Sequence, residues 1–326
     1  MQVFSKLFIS STAAVMLSLG PTLAHAQDFP ARTVKVVVPT GAGGPSDLCM
    51  RVIAPALQAH LGQSVVVENV TGATGSIGLT RVTSTPADGY TLVLPSAANT
   101  ASFAVRPQRS MDLEKELVPI GKTCQAAQTL VVSPKLGIRS VEELIKYGRA
   151  NPGKLSFASI GPGSSQHLMG ELFAAATGID MVHVPFRGEA AAVPEITAGR
   201  VSLAFMAGAK PFIDGELVVP LATTNAEVWP PMPNLPPLRK TAPELANVSY
   251  NGWNGLMAPK GTPPAVVRKL SEALQQALKD EKTRASIMQQ GNMPGAGTPE
   301  ELAKQLAYDR LMFKRVIDER KLTFTE

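Results

Sequence analysis

Short apolar runs alternate with amphipathic stretches along most of this 326-residue chain. The runs are only a few residues long and rich in valine, isoleucine and leucine, which is typical of buried strands. The predicted strands are 34–38, 65–68, 90–94, 155–159, 181–184, 202–205 and 217–222. Elsewhere apolar residues recur with helical spacing. The predicted helices are 46–60, 77–83, 140–150, 263–290 and 299–321, with a further helix starting at about residue 189.

Local signals refine the ends of these helices. Ser140 with Glu143, and Thr298 with Glu301, have the spacing of a capping box, in which each residue satisfies a backbone amide near the helix start. Pro55 predicts a bend or an end in the first helix, because proline has no amide hydrogen to donate.

Regular alternation of strands and helices predicts an α/β architecture with mostly parallel sheets. We interpret the extended apolar segment 118–132 as a crossing between two domains. In such sheets, ligands bind at the carboxyl ends of strands, beside the starts of helices. The glycine-rich loops TGAGGPSD (40–47) and SIGPGSSQH (159–167) occupy that position. A cleft between two lobes would bring them face to face.

The first 26 residues have the pattern of a secretory signal peptide. Lys6 gives a basic start, residues 7–19 are apolar, and Ala24-His25-Ala26 is a small-x-small cleavage site. The alternative interpretation is a frayed N-terminal helix. We expect cleavage near Ala26 and export of the mature chain.

Composition narrows the possible functions. The net charge is +5, but lysine and arginine are scattered and aromatic residues are few, so we expect no nucleic-acid binding. An oxidising compartment would allow the two cysteines, Cys49 and Cys124, to pair, but their apolar contexts favour two separately buried thiols. The chain has no C-x-x-C pattern and its histidines are not clustered, so a metal site is disfavoured and no cofactor is expected.

The loop TGAGGPSD is neither a dinucleotide-binding fingerprint nor a P-loop. Gly43 and Gly44 allow close approach of the backbone to a guest. Ser46 or Asp47 can cap the following helix, whose first amide groups form an anion site. The alternative is an ordinary strand-to-helix turn.

The loop SIGPGSSQH adds hydroxyl groups that suit a carboxylate, at Ser159, Ser164 and Ser165, followed by His167. A nucleophile elbow would require G-x-S-x-G, and residues 161–165 lack one of its glycine positions. His167 is a conceivable base for one of these serines, but no acidic partner is evident. A serine hydrolase is therefore a weak alternative.

Two further segments complete the candidate site. The loop TGATGSIG (71–78) should lie beside the first glycine loop on the same sheet edge. Arg187, in the turn PFRGEAA, is a candidate to bind a second carboxylate of the ligand. The alternative for Arg187 is a solvated surface residue.

Several segments of the sequence, taken in order, resemble those of a known family. They are FPARTVKVVVPTGAGGPSD, LGQSVVVENVTGATGSIG, PADGYTLVL, NPGKLSFASIGPGSSQHLMGELF, MVHVPFRGEAAAVPEITAGRVSLAF and GWNGLMAPKGTP. Over essentially its whole mature length the chain resembles the Bug (TctC-like) solute-binding proteins of tripartite tricarboxylate transporters.

This resemblance implies a type II periplasmic binding protein that is not an enzyme. The expected parts are a first lobe (27–123), a second lobe (124–251) and a return to the first lobe (252–326). The implied protein is a periplasmic monomer that binds a small organic acid and delivers it to the transporter's membrane subunits. The expected ligand-binding residues are Thr40, Ala42, Gly43, Gly44, Ser46, Asp47, Gly72, Ala73, Thr74, Gly75, Ser96, Ser159, Ser164, Ser165, His167, Arg187, Met206 and Ala207.

The chain departs from its relatives at Met206-Ala207, where they often carry Asp-Asn, and at Phe186-Arg187-Gly188, where Tyr-Lys-Gly is common. Loss of polar groups at 206–207 leads to the hypothesis of a ligand with one carboxylate and an aromatic or otherwise apolar body. An alternative function with the same fold is a periplasmic ligand sensor for a two-component system.

Overall fold

The computed structural model describes residues 29–320, so the predicted signal peptide lies outside the described residues. The strands are β1 (Val34–Val38), β2 (Val65–Asn69), β3 (Thr91–Val93), β4 (Leu117–Ala127), β5 (Thr129–Val132), β6 (Leu155–Ser159), β7 (Met181–Pro185), β8 (Leu203–Met206), β9 (Val219–Thr223), β10 (Asn251–Pro259) and β11 (Asn292–Pro294). The α-helices are α1 (Pro45–Leu61), α2 (Ser76–Thr83), α3 (Ala97–Val105), α4 (Leu113–Glu116), α5 (Val141–Ala150), α6 (Ser165–Thr177), α7 (Glu189–Thr197), α8 (Lys210–Asp214), α9 (Pro264–Lys279), α10 (Glu281–Gln289) and α11 (Pro299–Arg320).

The strands form two sheets, which confirms the predicted two-lobe α/β architecture. The first sheet has the order β11-β4-β10-β3-β1-β2, and the second has the order β7-β6-β8-β5-β9. In each sheet three neighbouring strands run parallel, β2-β1-β3 and β7-β6-β8. Antiparallel strands extend each sheet on one side. The parallel strands supply the loops that begin α1, α2, α6 and α7.

The chain passes between the sheets twice. Strands β4 and β5 are separated only by Gln128, and the return runs from β9 to β10. The two crossings are bonded together, because Thr224 N–H donates to the Gln128 carbonyl (2.8 Å) and Tyr250 N–H donates to the Thr224 carbonyl (2.7 Å). The lobe limits at 123/124 and 251/252 stay a prediction.

Helix α11 packs on both halves of the molecule, against β4 and α3 on one side and α6 on the other. Its Asp309 is fully buried and accepts hydrogen bonds from Trp253 Nε1 (2.6 Å) and Gln305 Nε2 (2.8 Å). Burial raises the pKa of Asp309 to about 6, although these hydrogen bonds act in the opposite direction. Polar contacts thus fix α11 at the centre of the apolar core.

Most predicted elements agree with the structure to within one or two residues, but the helix predicted over 263–290 is wrong. It is two helices, α9 and α10, divided at Asp280. The Asp280 carboxylate accepts a hydrogen bond from Thr283 N–H (2.8 Å) and so caps a new helix start. Pro55 lies inside α1, which continues past it to Leu61.

The favoured interpretation of two separate thiols is also wrong. Cys49 and Cys124 form a disulfide, with their Cα atoms 6.4 Å apart and a sequence separation of 75. The bond joins α1 to β4 within the buried apolar cluster on one face of the first sheet. The chain around each cysteine carries no signal of this pairing, because the partner is distant in sequence.

We expect that replacing both cysteines (Cys49→Ala with Cys124→Ala) lowers the free energy of unfolding by about 2–5 kcal/mol, because a long loop is released in the unfolded chain. Urea unfolding of the wild-type protein and the double variant measures the difference. Reductant should lower the stability of the wild-type protein and leave that of the double variant unchanged. Equal stability of the oxidised wild-type protein and the variant would contradict this expectation.

Candidate functional site

Loops from the two sheets approach each other closely at two points. A Cβ added at Gly208, which follows β8, would lie 3.9 Å from Pro45 Cγ at the start of α1. A Cβ added at Gly163, before α6, would lie 2.7 Å from Val105 Cγ1 at the end of α3. At these two points the second half of the molecule lies against the first, beside the carboxyl ends of the parallel strands. Ligands bind at such strand ends in open α/β sheets.

Asp47 braces the first glycine loop from inside. Its carboxylate is only 2% exposed and accepts hydrogen bonds from Gly43 N–H (2.8 Å), Arg51 Nε (2.9 Å) and Asn69 Nδ2 (2.9 Å). Burial raises the pKa of Asp47, but the hydrogen bonds from Arg51, Gly43 and Asn69 outweigh it, so the pKa is lowered. The carboxylate is therefore engaged in holding the loop.

The other predicted residues of this loop differ in their burial and in their hydrogen bonds to the protein. Ser46 Oγ accepts a hydrogen bond from Asn254 Nδ2 (2.6 Å), and Gly44, rather than a polar side chain, lies at the N-cap of α1. Gly41, Ala42 and Gly43 are exposed. Within the described residues the buried Thr40 Oγ1 has no hydrogen-bond partner. The open positions thus lie before the helix start.

The second loop of the first sheet is held in a strained conformation. All four of its predicted residues have positive φ: Gly72 (121°), Ala73 (47°), Thr74 (54°) and Gly75 (90°). Alanine and threonine adopt this region only when their surroundings impose it. Here Asn99 Nδ2 donates to the Thr74 carbonyl (3.0 Å), while Asn99 Oδ1 accepts from Ser96 N–H (2.9 Å). Ser96 therefore caps α3, and Asn99, which sequence reasoning missed, links that cap to the loop.

The start of α6 is built by the predicted serines and histidine. Ser164 Oγ accepts a hydrogen bond from His167 N–H (3.3 Å) and caps the helix. His167 Nδ1 accepts from Gly163 N–H (3.0 Å), and Ser165 Oγ accepts from Gln128 Nε2 (3.1 Å) at the first crossing. A nucleophilic serine needs a base within hydrogen-bond distance, whereas Nδ1 of His167 is engaged with the backbone. These contacts give no support to His167 as the base of Ser164 or Ser165 in a serine hydrolase.

Two stacked histidines lie beneath this loop. The ring centroids of His167 and His183 are 3.9 Å apart, and His183 Nε2 lies 2.6 Å from Ser159 Oγ. The pKa of each imidazole is lowered to about 4, in His167 by burial and in His183 mainly by burial, with a smaller lowering by His167 and an opposing effect of Glu171. Both rings are therefore neutral near pH 7, and the loop holds its shape without a formal positive charge.

Glu189 was missed by sequence reasoning and lies at the centre of the second half of the site. As the first residue of α7, it accepts hydrogen bonds from Ala207 N–H (2.7 Å), Gly208 N–H (2.9 Å) and Gln166 Nε2 (3.0 Å). The only sequence signal is an acidic residue at a helix start, which is common. Its partners are brought to it by β8 and α6.

The remaining predicted residues differ in position. Arg187 is exposed in the turn before α7. Met206 is 1% exposed and packs in the apolar cluster of the second sheet with residues such as Ala158 and Ala192. Ala207 meets the site through its N–H group. Met206 is a core residue. A methionine at this position therefore does not add an apolar surface to the open cleft.

Within residues 29–320, no three His, Cys, Asp or Glu side chains are grouped so that they could hold a metal ion. In the same part of the chain, no helix combines the length and the apolar character that a membrane span requires.

The buried histidines generate a prediction about pH. Their folded-state pKa values lie below 6.5, so the unfolded chain binds more protons between about pH 6.5 and 4, and the free energy of unfolding should fall as the pH is lowered through this window. His183→Gln should reduce that fall by about 1–2 kcal/mol, allowing for partial solvent screening. Urea unfolding between pH 7 and 4.5 measures it.

The raised pKa of Asp309 acts in the opposite direction, but it is common to both proteins and cancels in the difference. His60→Gln, which removes an exposed histidine near the end of α1, is the matched control, and it should reduce the fall in stability less than His183→Gln does. An unchanged pH dependence in His183→Gln would show that His183 is not held neutral by the fold.

Comparisons with known proteins agree with this architecture. The chain is 32% identical over 312 residues to the UPF0065 protein in the tcbD-tcbE intergenic region of Pseudomonas sp. (strain P51), covering 95% of this chain and 93% of that protein. The structure of R. palustris Rpa4515 with adipate is similar, with a TM-score of 0.82, 30% identity and coverage of 91% of this chain and 99% of that one.

Two further structures extend the likeness. The periplasmic binding protein BugD has a TM-score of 0.79 and 29% identity, covering 90% of this chain and 99% of its own. MatC from Rhodopseudomonas palustris with bound malate has a TM-score of 0.77 and 27% identity, covering 89% of this chain and 100% of its own. The sequence model of the tripartite tricarboxylate transporter family receptor, TctC, matches residues 49–322. The chain therefore belongs to the TctC family of periplasmic solute-binding proteins.

Proposed function

We propose that this protein captures a small organic acid by a carboxylate in the cleft between its two sheets and delivers it to the membrane subunits of a tripartite tricarboxylate-type transporter. The observation that carries the proposal is the pair of opposed loops at the starts of α1 and α6, each preformed by an internal hydrogen bond from Gly43 or Gly163. Similar proteins that hold adipate and malate support a carboxylate ligand.

The loops supply neutral donors near two helix starts. A helix N-terminus contributes about 0.3–1 kcal/mol to an anion's binding, and a hydrogen bond to a charged group about 1.5–3 kcal/mol. Four or five such contacts supply about 6–15 kcal/mol before the costs of ordering and closure, which is comparable with the ~8 kcal/mol of a micromolar complex. The residues proposed for these contacts are the exposed backbone of 40–43, the strained turn 72–75 and the start of α6.

Thr40 adds a specific donor to this set. Its hydroxyl oxygen is buried without a partner among the described residues, next to the open glycine loop. A buried hydroxyl without a hydrogen bond costs about 1–3 kcal/mol, which a bound carboxylate would recover. An acid with an aromatic or otherwise apolar body stays a prediction, with Met206 contributing to it only from the core.

Closure of the two halves over the acid completes the proposed cycle. The two crossings are bonded together at Gln128, Thr224 and Tyr250, and such a motion would turn about this point. Periplasmic location follows from the predicted signal peptide. Release of the unaltered acid to membrane subunits, rather than a signal to a sensor kinase, is the role we propose.

We expect calorimetry on the ligand-free protein to show one-to-one binding of at least one acid among adipate, malate, citrate, hexanoate and benzoate. The same acid should raise the thermal midpoint, since binding to the folded state alone adds about 2.7 kcal/mol at 100-fold excess over Kd. Gly41→Leu should weaken this binding at least tenfold, because a Cβ at Gly41 points into open space in the proposed cleft.

Lys269→Leu, at an exposed position of α9, is the control and should bind like the wild-type protein. Unchanged affinity in Gly41→Leu would place the acid outside this cleft. Deleting the gene should reduce cellular uptake of the identified acid. Normal uptake together with a lost transcriptional response to the acid would favour the sensor instead.

A further inference from the structure

The carboxylate of Glu189 accepts hydrogen bonds from a group of donors that could otherwise bind the anionic group of a ligand. Its Oε1 accepts from Ala207 N–H (2.7 Å) and Gln166 Nε2 (3.0 Å), and its Oε2 accepts from Gly208 N–H (2.9 Å). Two successive main-chain N–H groups directed at one carboxylate form the kind of concavity that binds anions in proteins. Here the protein fills that concavity with its own side chain.

This filled anion site faces the proposed ligand cleft. A Cβ added at Gly208 would lie 3.2 Å from Glu189 Oε2 and 3.9 Å from Pro45 Cγ of the opposite half. The carboxylate therefore lies close to the first turn of α1, across from the loop proposed to bind the acid. Glu189 is partly exposed rather than enclosed.

The space behind Glu189 does not admit a ligand. Its lining is largely apolar and comprises Ala158, Ser159, Ile160, Gln166, Ala192, Ala204, Phe205 and Met206. The cavity measures about 10 Å³, about the room that one water molecule needs. A ligand that reaches Glu189 would therefore meet its carboxylate from the side of Gly208 and Pro45.

We propose that Glu189 restricts the cleft to acids that carry a single carboxylate. A second carboxylate on the ligand would meet a fixed negative charge whose main-chain donors are already used, and like charges in a partly buried site repel strongly. The imidazoles of His167 and His183 are neutral and add no positive charge. Among the described residues, the exposed Arg187 forms no ion pair with Glu189. Glu189 Oε2 accepts one hydrogen bond in the structure, so a neutral donor on the distal end of the ligand is compatible with it.

This inference rests on the proposed function and concerns the same cleft. The ligand that it predicts differs from those bound in the similar structures, since adipate and malate each carry two carboxylates. Glu189 is thus argued to determine specificity through its charge, and a purely structural role at the start of α7 would leave the choice between acids unchanged.

The test compares acids of matched carbon skeleton: butyrate with succinate, hexanoate with adipate, and benzoate with terephthalate. In calorimetry, the wild-type protein should bind the monoacid at least tenfold more tightly than the diacid in every pair that binds. Glu189→Gln keeps the shape of the side chain and removes its charge, and should shift this ratio at least tenfold towards the diacid. Glu189→Ala frees the three donors and should shift it further, which provides a second variant if the first does not fold.

Glu195→Gln removes the same charge from α7 at a partly exposed residue paired with Arg200, and it should leave the ratio unchanged. A wild-type protein that prefers the diacid, or a ratio that does not move in either Glu189 variant, overturns the inference while leaving carboxylate binding intact. Binding of none of the six acids by the wild-type protein or the variants counts against the proposed function itself, and the inference falls with it.

Discussion

The site depends on one recurring interaction, in which a buried polar side chain holds the backbone of each cleft loop. Asp47 holds Gly43, Asn99 holds the strained Thr74, and His167 holds Gly163. Loops at strand ends carry backbone groups that must be satisfied either by water or by the protein. By satisfying some of them internally, these braces fix the directions of the others before any ligand arrives, which lowers the ordering cost of binding.

The braces differ in charge, and this makes the cleft asymmetric. The carboxylate of Asp47 is balanced by Arg51 and by donors within its own half, and His167 is neutral because of its burial. Glu189 instead receives only neutral donors, from two amides of the main chain and from Gln166. The first half therefore contains a carboxylate that is balanced by an arginine, whereas the second half contains, beside the start of α6, a carboxylate that is held by neutral donors.

The parts of this arrangement that could be predicted from sequence are the local ones. Strands β1 and β6 have the predicted bounds because their apolar runs end at glycine or serine turns, and the boxes at Ser140 and Thr298 cap their helices through Glu143 N–H and Glu301 N–H. What sequence reasoning missed joins residues far apart. The Cys49–Cys124 bond depends on how α1 packs on β4, and the donors of Glu189 come from residues 207–208 after another strand. The break at Asp280 is local, but a single capping aspartate inside a helical pattern is a weak signal.

The separation between braces and specificity residues explains how one scaffold can serve different acids. The braces of the first half and of the α6 start lie on elements that also carry the core, so exchanging them would disturb the fold. Glu189 lies in the first turn of a helix and is partly exposed, and its main-chain donors belong to residues 207–208 on another loop. Replacing it would convert a filled anion site into an open one without moving the backbone, so a single substitution would be enough to change the number of carboxylates that the cleft accepts.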